Sequence, residues 1–369
     1  MKRFAICFLS ACLVLNFLFG CTSCVKHPKI EKVSISEIFS DEQSVLKREY
    51  ENMKLPEAIT LDQPSQLVTY KTKSYESVSD KEKKTALQNF VTTFYDYFDE
   101  ADIHLWADGV PFYYYENEDI YVTCDANYDS FCFSKNGYDW VYNLKKEAVF
   151  YVDRNDSIEN ISYLLNGKDY KLTDAKAYAD SLVKDTILQF TNYKDARLKK
   201  IYVCKSDGSD YHYALEYEFL VNGIPVDVSG DSHGDKAFML SPTLLIEMAE
   251  PDEFFLVRSE RCFSFETPTV LKESFVSLST ALELAEQYLA GEHTYYVSDI
   301  ELQYSCIANW KTSPYIYKPY WRIVLQEEES GIGSINLMPQ ISMYIDVQTG
   351  KICVYDTISG NLDSFPEGS

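Results

Sequence analysis

Two stretches decide how the chain is read: "KLTDAKAYADSLVKDTILQF" at residues 171–190 and "SLSTALELAEQYLAGE" at residues 277–292. In the first, Leu172, Ala175, Ala179, Leu182 and Val183 recur at helical spacing on one face. In the second, Leu278, Ala281, Ala285 and Leu289 hold the matching places. Thr280 and Glu283 there have capping-box spacing, and Gly291 is placed to end the helix. Strand-like pieces follow each helix in the same order. The first run is "KKIYVC", "HYALEYEFLVNGIPVDV" and "LLIEMAEPDEFFLVR"; the second is "IELQYSC", "YWRIVLQ" and "ISMYIDVQTGKICVYD". Turns at Pro251-Asp252 and Thr349-Gly350 divide the last piece of each run. Strands that cluster instead of alternating with helices predict an α+β fold, built from helix-on-antiparallel-sheet units. The expected repeats span residues 165–262 and 270–360.

Upstream, "SDKEKKTALQNFVTTFYDYF" carries Ser79 and Glu82 at capping-box spacing. Ala86, Phe90, Val91, Phe94, Tyr97 and Phe98 make its apolar stripe. The pieces "PFYYYE", "DIYVTCD", "SFCFS", "DWVYNL" and "AVFYVD" follow, separated by turn signals such as Asn136-Gly137. Residues 76–160 therefore read as an N-terminal α+β domain, a helix on an antiparallel meander. Residues 21–75, polar and interrupted by Pro56 and Pro64, read as a tether.

The small-residue helix, a strand of the form Y-x-L-x-Y-x-F and the closing "IDVQTGKI" hairpin resemble PepSY-like domains of exported bacterial proteins. The resemblance covers residues 165–360 and makes the two repeats PepSY-like. In the first copy Glu247 and Asp252 stand where Asp346 and Lys351 do, and the hairpin glycine is missing. The insertion "NGIPVDVSGDSHGDKAFMLSP" also departs from the pattern. The resemblance implies a non-catalytic module that inhibits a peptidase or partners a membrane sensor, and it brings no catalytic residues.

The N-terminus sets the compartment. Lys2 and Arg3 precede an apolar run from Phe4 to Phe19, about the length of a secretory h-region and short for a spanning helix. Leu18-Phe19-Gly20-Cys21 resembles the bacterial lipobox, although Phe19 is larger than that pattern prefers. Leu9-Ser10-Ala11-Cys12 fits its letters better but stands too near the charges to leave an h-region. With residues 1–20 as signal peptide, Cys21 becomes the lipidation site and the chain an acidic lipoprotein on the outer, extracytoplasmic face of the cell membrane. The whole as a sequence resembles surface lipoproteins of Gram-positive bacteria.

Removal of Lys2 and Arg3 takes the 34 basic residues to 32 against 57 acidic, a formal charge of −25. Such a surface argues against nucleic acid as a partner, since phosphate binding needs clustered Lys and Arg. Among the scattered cysteines only Cys124 and Cys132, flanking a polar turn in "YVTCDANYDSFCFS", invite a disulfide; two buried thiols are the alternative. No HExxH, G-x-S-x-G or Walker motif occurs, so no enzyme and no cofactor is expected.

Three sites remain as candidates. Asp227, Asp231, His233 and Asp235 crowd a glycine-bearing loop that reads either as a weak divalent-cation site or as solvated turn residues. Asp125, Asn127 and Asp129 match the first EF-hand places, with Ser130 where the glycine belongs. The segment "VPFYYYENEDIYV" offers a possible ligand face from Tyr113, Tyr115 and Trp140, against the plainer reading of a half-wet sheet. The function expected is a protein- or peptide-binding module at the cell envelope, regulating a peptidase or sensor. The alternative is a glycan or peptide receptor using the tyrosine-rich face.

Overall fold

The computed structural model describes residues 30, 32–39, 42–57, 59, 61, 63–73, 78–105, 112–127, 129–138, 144–152, 156–205, 210–226, 232–233, 238–240, 242–272, 274–289, 294–308, 315–327, 340–356 and 362–363. Four α-helices occur among them: α1 (Glu42–Leu46), α2 (Asp80–Phe94), α3 (Leu172–Asp185) and α4 (Leu278–Tyr288). The strands begin with β1 (Lys32–Val33), β2 (Met53–Lys54), β3 (Val68–Lys71), β4 (Ile103–Leu105), β5 (Tyr113–Glu116), β6 (Ile120–Cys124), β7 (Phe131–Lys135) and β8 (Lys145–Tyr151). Next come β9 (Ser162–Leu165), β10 (Lys168–Lys171), β11 (Asp195–Lys205), β12 (Tyr211–Val221), β13 (Ile224–Pro225), β14 (Ser232–His233), β15 (Phe238–Leu240) and β16 (Thr243–Met248). The last are β17 (Leu256–Glu260), β18 (Thr269–Val270), β19 (Phe275–Val276), β20 (Tyr295–Ala308), β21 (Ile316–Glu327), β22 (Gln340–Asp346), β23 (Ile352–Asp356) and β24 (Leu362–Asp363).

Local chemistry starts these elements where it should. Ser79 caps α2 in a full capping box: its amide donates to Glu82 Oε2 at 2.9 Å while its hydroxyl accepts from the Glu82 amide at 3.4 Å. Helix α4 starts three residues earlier than the Thr280 spacing predicts. Ser277 is its cap, accepting from the Thr280 amide at 3.2 Å. Asn166-Gly167 and Asn222-Gly223 turn β9 into β10 and β12 into β13. Both residues of each pair have positive φ, from 45° to 78°, the geometry of a two-residue hairpin turn.

The expected α+β fold of separate helix-on-sheet units with PepSY-like repeats is not what the chain builds. Strands dominate and join into two large sheets of ten strands each. The first runs β4-β5-β6-β7-β17-β16-β12-β11-β8, with β13 paired to β12. The last strand of the 103–135 meander, β7, hydrogen-bonds β17, the last strand of the 195–260 run. An edge that would have closed a small unit is thereby paired, and the two meanders become one sheet. The second sheet runs β14-β15-β20-β21-β22-β23-β24, with β2 parallel to β20 and with β3 and β18 added beside β21. The stretch read as a tether thus supplies β1, β2, β3 and α1 from Lys32 onward, and buries Ile38, Phe39, Met53, Leu67 and Val68.

Register fixes the core of the first sheet. Ile103, Tyr115, Val122, Phe133, Val257, Ile246, Leu215, Ile201 and Phe150 are successive cross-strand partners, one from each strand between β4 and β8. The row on the opposite face reads His104, Tyr114, Thr123, Cys132, Arg258, Leu245, Glu216, Lys200 and Tyr151. Helix α2 lies over β5 and β6, and α3 over β11 and β12. Phe90 and Phe94 of α2 pack on Phe131, Phe133, Phe190 and Phe254 at ring separations of 4.9–6.2 Å.

Among the described residues the sheets are joined by the Val226–Tyr304 bridge and by two side-chain clusters. One is aromatic: Tyr193 stacks on Phe219 at 4.4 Å and meets Phe265, which packs on Tyr317 of β21. The other is ionic. The register of β11 shifts between Leu198 and Lys200, and Lys199, the extra residue, reaches Glu218 at 2.9 Å and Glu301 of β20 at 3.8 Å. Arg197 holds the other oxygen of Glu218, and Arg322 lies 3.4 Å from Glu301 and 3.9 Å from Asp299. Burial alone would lower the Lys199 ammonium pKa, but Glu301 and then Glu218 outweigh it and hold the group above its ordinary value.

Lys199→Met should cost about 3 kcal/mol in urea unfolding, because it leaves Glu218 buried with one partner fewer. The double variant Lys199→Met/Glu218→Leu should recover most of that loss. A loss in the double variant equal to the sum of the losses in Lys199→Met and Glu218→Leu alone would show that the two charges are not coupled.

Candidate functional site

A cleft of about 580 Å³ opens between the first turns of α2 and the β4–β5 end of the first sheet. Asp80, Lys84 and Gln88 of α2 form one wall; Glu100, Ile103 and Tyr113 form the other. The capping box fixes where α2 begins, and the phenylalanine cluster beneath the helix fixes its height over β5 and β6. The cleft width is therefore set by packed elements. Lys83 pairs with Asp80 at 3.6 Å, one turn apart. The Lys84 ammonium sits 5.0 Å from the centroid of the Tyr113 ring, a cation–π contact. Burial, and then the Asp80 carboxylate, hold the Tyr113 phenol above its ordinary pKa.

Of the tyrosine face read from the sequence, only Tyr113 stands at this cleft. Tyr115 is fully buried, as its place in the apolar row requires. It stacks on Phe98 at 5.4 Å, donates to Asp102 at 3.2 Å and accepts from Asn117 Nδ2 at 3.2 Å. Its position two residues from Tyr113 gives it the same sheet face but places it under Phe98, so it supports the site from behind. Trp140 lies outside the described residues. On the other face His104, Tyr114 and Tyr121 form a ladder with centroids 5.2 and 5.6 Å apart. Nothing in the sequence marks Lys84, Phe98 or Glu100 as site residues. The apolar spacing puts Phe98 on the stripe of α2, but the helix ends at Phe94 with Tyr95 as its cap. Lys84 is 29 positions from Tyr113, and no local pattern marks such a pair.

The disulfide reading needs correction. The turn closes with the Asp125 amide donating to the Ser130 carbonyl at 2.9 Å, so Cys124 faces Phe131 and Cys132 faces Thr123. Neighbouring register positions point to opposite sheet faces, and the two sulfurs lie on either side of the sheet as free thiols. Burial pushes the Cys132 thiol up to about 12 and drives Cys124 upward as well, so neither is a ready nucleophile.

Asp227, Asp231 and Asp235 lie outside the described residues, and His233 falls in β14. In the EF-hand-like stretch, Asp125 Oδ1 accepts the Asn127 amide at 2.8 Å, an Asx turn. Asn192 Nδ2 approaches Asp129 Oδ1 at 3.5 Å. Among the described residues no three His, Cys, Asp or Glu side chains converge as a metal site, and no helix is long and apolar enough to cross a membrane.

No protein-family model matches the sequence, and no curated protein matches it. Among solved structures the fold is similar to the crystal structure of an uncharacterized protein from Eubacterium rectale ATCC 33656, with a TM-score of 0.54 and 13% identity. The match covers 85% of this chain and 98% of that one. At this identity the likeness speaks to the fold alone.

Alkylation of the denatured chain without reductant should label both Cys124 and Cys132, which share the tryptic peptide ending at Lys135. Recovery of that peptide unlabelled at both cysteines and two hydrogens lighter than the dithiol would overturn the register assigned here to β6 and β7.

Proposed function

We propose that the chain is a lipid-tethered binding protein on the outer face of the cell membrane, and that the cleft beside Tyr113 takes a segment of another envelope protein. The observation that carries this reading is the pairing of Lys84 with Tyr113. A sugar recognised by stacking needs the free face of a ring, and here an ammonium already lies over that face. A peptide has a different set of needs: backbone groups to pair, and side chains to place against a mixed wall of carboxylates, ammonium groups and an aromatic edge. The cleft supplies Asp80 and Glu100, Lys81 and Lys84, with Tyr113 and Ile103 between them. The lipobox-like Cys21 supports the tether, and the −25 charge of the chain after its leader favours partners of opposite sign.

Screening of degenerate decapeptides and of soluble glycan fragments against the full chain in detergent micelles tests the cleft. Peptides should raise the melting temperature, and Tyr113→Ala should weaken the best of them about 5- to 10-fold, near 1 kcal/mol for loss of the ring and its cation–π contact. Stabilisation by glycans alone would move the protein to the glycan-receptor reading. The tether has its own check: labelled fatty acid should enter the chain in cells and be absent from Cys21→Ser. Undiminished labelling of that variant would place the lipid elsewhere.

A further inference from the structure

The cleft lies beside a sheet edge, and the two edges of that sheet differ. At one end β8 is seven residues long and presents Lys145, Lys146 and Glu147, charges of the kind that discourage pairing with another chain. At the other end β4 presents His104 and Leu105, the latter 58% exposed. Helix α2 covers β5 and β6, and β4 lies past it as the terminal strand among the described residues. Leu105 is the cross-strand partner of Tyr113, and Ile103 is that of Tyr115, so one face of β4 continues the cleft wall outward. The other face carries His104 and continues the ladder to Tyr114 and Tyr121.

The segment that forms this edge carries charge of one sign. Between Tyr95 and Ile120 the sequence contains no lysine or arginine, while it carries Asp96, Asp99, Glu100, Asp102, Asp108, Glu116, Glu118 and Asp119. The lysines of α2 stand over β5: Lys81 lines the cleft, and Lys83 and Lys84 are engaged with Asp80 and Tyr113. A chain laid along β4 therefore meets carboxylates and tyrosine rings, a setting for lysine and arginine side chains.

Resting on the peptide-binding reading of the cleft, we infer that the partner adds as a β-strand to the edge of β4 and that it is an extended, lysine- or arginine-rich segment. Alternate side chains of the added strand fall on the cleft side beside Leu105 and Glu100 and on the ladder side beside His104 and Tyr114. Main-chain hydrogen bonds would hold the segment, and the acidic rim would select its charge. The edge is three residues long, so pairing is confined to a short stretch and extended aggregation is not invited.

The test is fluorescence anisotropy on the full chain in detergent micelles. The probes are a labelled nonapeptide alternating Lys with Val and Thr, its Glu-for-Lys counterpart, and two versions of the basic peptide N-methylated at odd or at even amides. The basic peptide should bind, and the acidic one should bind at least tenfold more weakly. One methylated version should lose at least tenfold while the other binds within twofold, because only one set of amides faces β4. Leu105→Pro should weaken both the unmethylated peptide and the methylated version that still binds. Equal binding by both methylated versions, together with a loss on Tyr113→Ala, would overturn strand addition while leaving the cleft reading in place. Basic-peptide binding indifferent to Tyr113→Ala, or no binding at all, would overturn both. Equal binding by the acidic peptide would overturn the charge assignment.

Discussion

A single row of side chains, one from each strand between β4 and β8, constrains the first sheet from edge to edge. Seven of its members, Tyr115, Val122, Phe133, Val257, Ile246, Leu215 and Ile201, have no solvent exposure. The next row, on the opposite face, contains Arg258, Glu216 and Lys200. A slip of one residue in any strand would exchange the rows and bury a charge without its partner, at several kcal/mol for each ion. Register is therefore over-determined, and the β7–β17 seam follows the same rule, because Phe133 and Val257 continue the apolar row across it. The fused sheet is what the alternation demands once both meanders expose an apolar row of matching pitch.

The second constraint acts between sheets. An alternating strand has no position that can reach sideways to a neighbouring sheet without leaving one of its faces bare. The bulge in β11 provides such a position by inserting Lys199 outside the alternation. On general grounds a buried ion network adds little net stability over apolar packing, so its effect falls on which strands meet. The carboxylates come from both sheets, Glu218 from the first and Glu301 from the second, and the lysine between them is 5% exposed. Tyr193, Phe219, Phe265 and Tyr317 supply the apolar part of the same joint.

What the sequence makes legible is the short-range part of this plan. Ser79 with Glu82 marks the start of α2, the apolar spacing marks α3 and α4, and Asn-Gly pairs mark hairpins whose φ values only such residues adopt readily. The strands of each run also lie in the order in which they were read. The joining of runs is not legible, because a β7 that ends its own sheet and a β7 that pairs with β17 have the same alternation. The same limit governs the cysteines: Cys124 and Cys132 look symmetric about a turn, yet a loop closed from Asp125 to Ser130 offsets them by one position and sends them to opposite faces. At the cleft, Tyr113 was visible as one of a run of tyrosines, whereas Lys84 and Phe98 reach it only through the docking of α2 and the chain that follows it.

The placement of the cleft follows from these constraints. The middle of the first sheet is unavailable to a partner on its core face, because α2 and α3 cover it, and the apolar row there is complete. A partner must therefore come to an edge or to the outer face. The edge at β4 is the place where a rigid wall, a capped helix and an incompletely covered strand coincide. Phe90 and Phe94 hold α2 against β6 and β7, and Phe98 stacks on Tyr115, so the groups around Tyr113 need little ordering when a ligand arrives. Preorganisation of this kind is worth more to a short peptide than added contact area, because ordering flexible side chains at an interface costs about 0.5–1.5 kcal/mol apiece. The tyrosines of the segment are thus divided by the alternation of one strand: Tyr115 serves the core, Tyr114 the outer face, and Tyr113, last before the edge, is left for a partner.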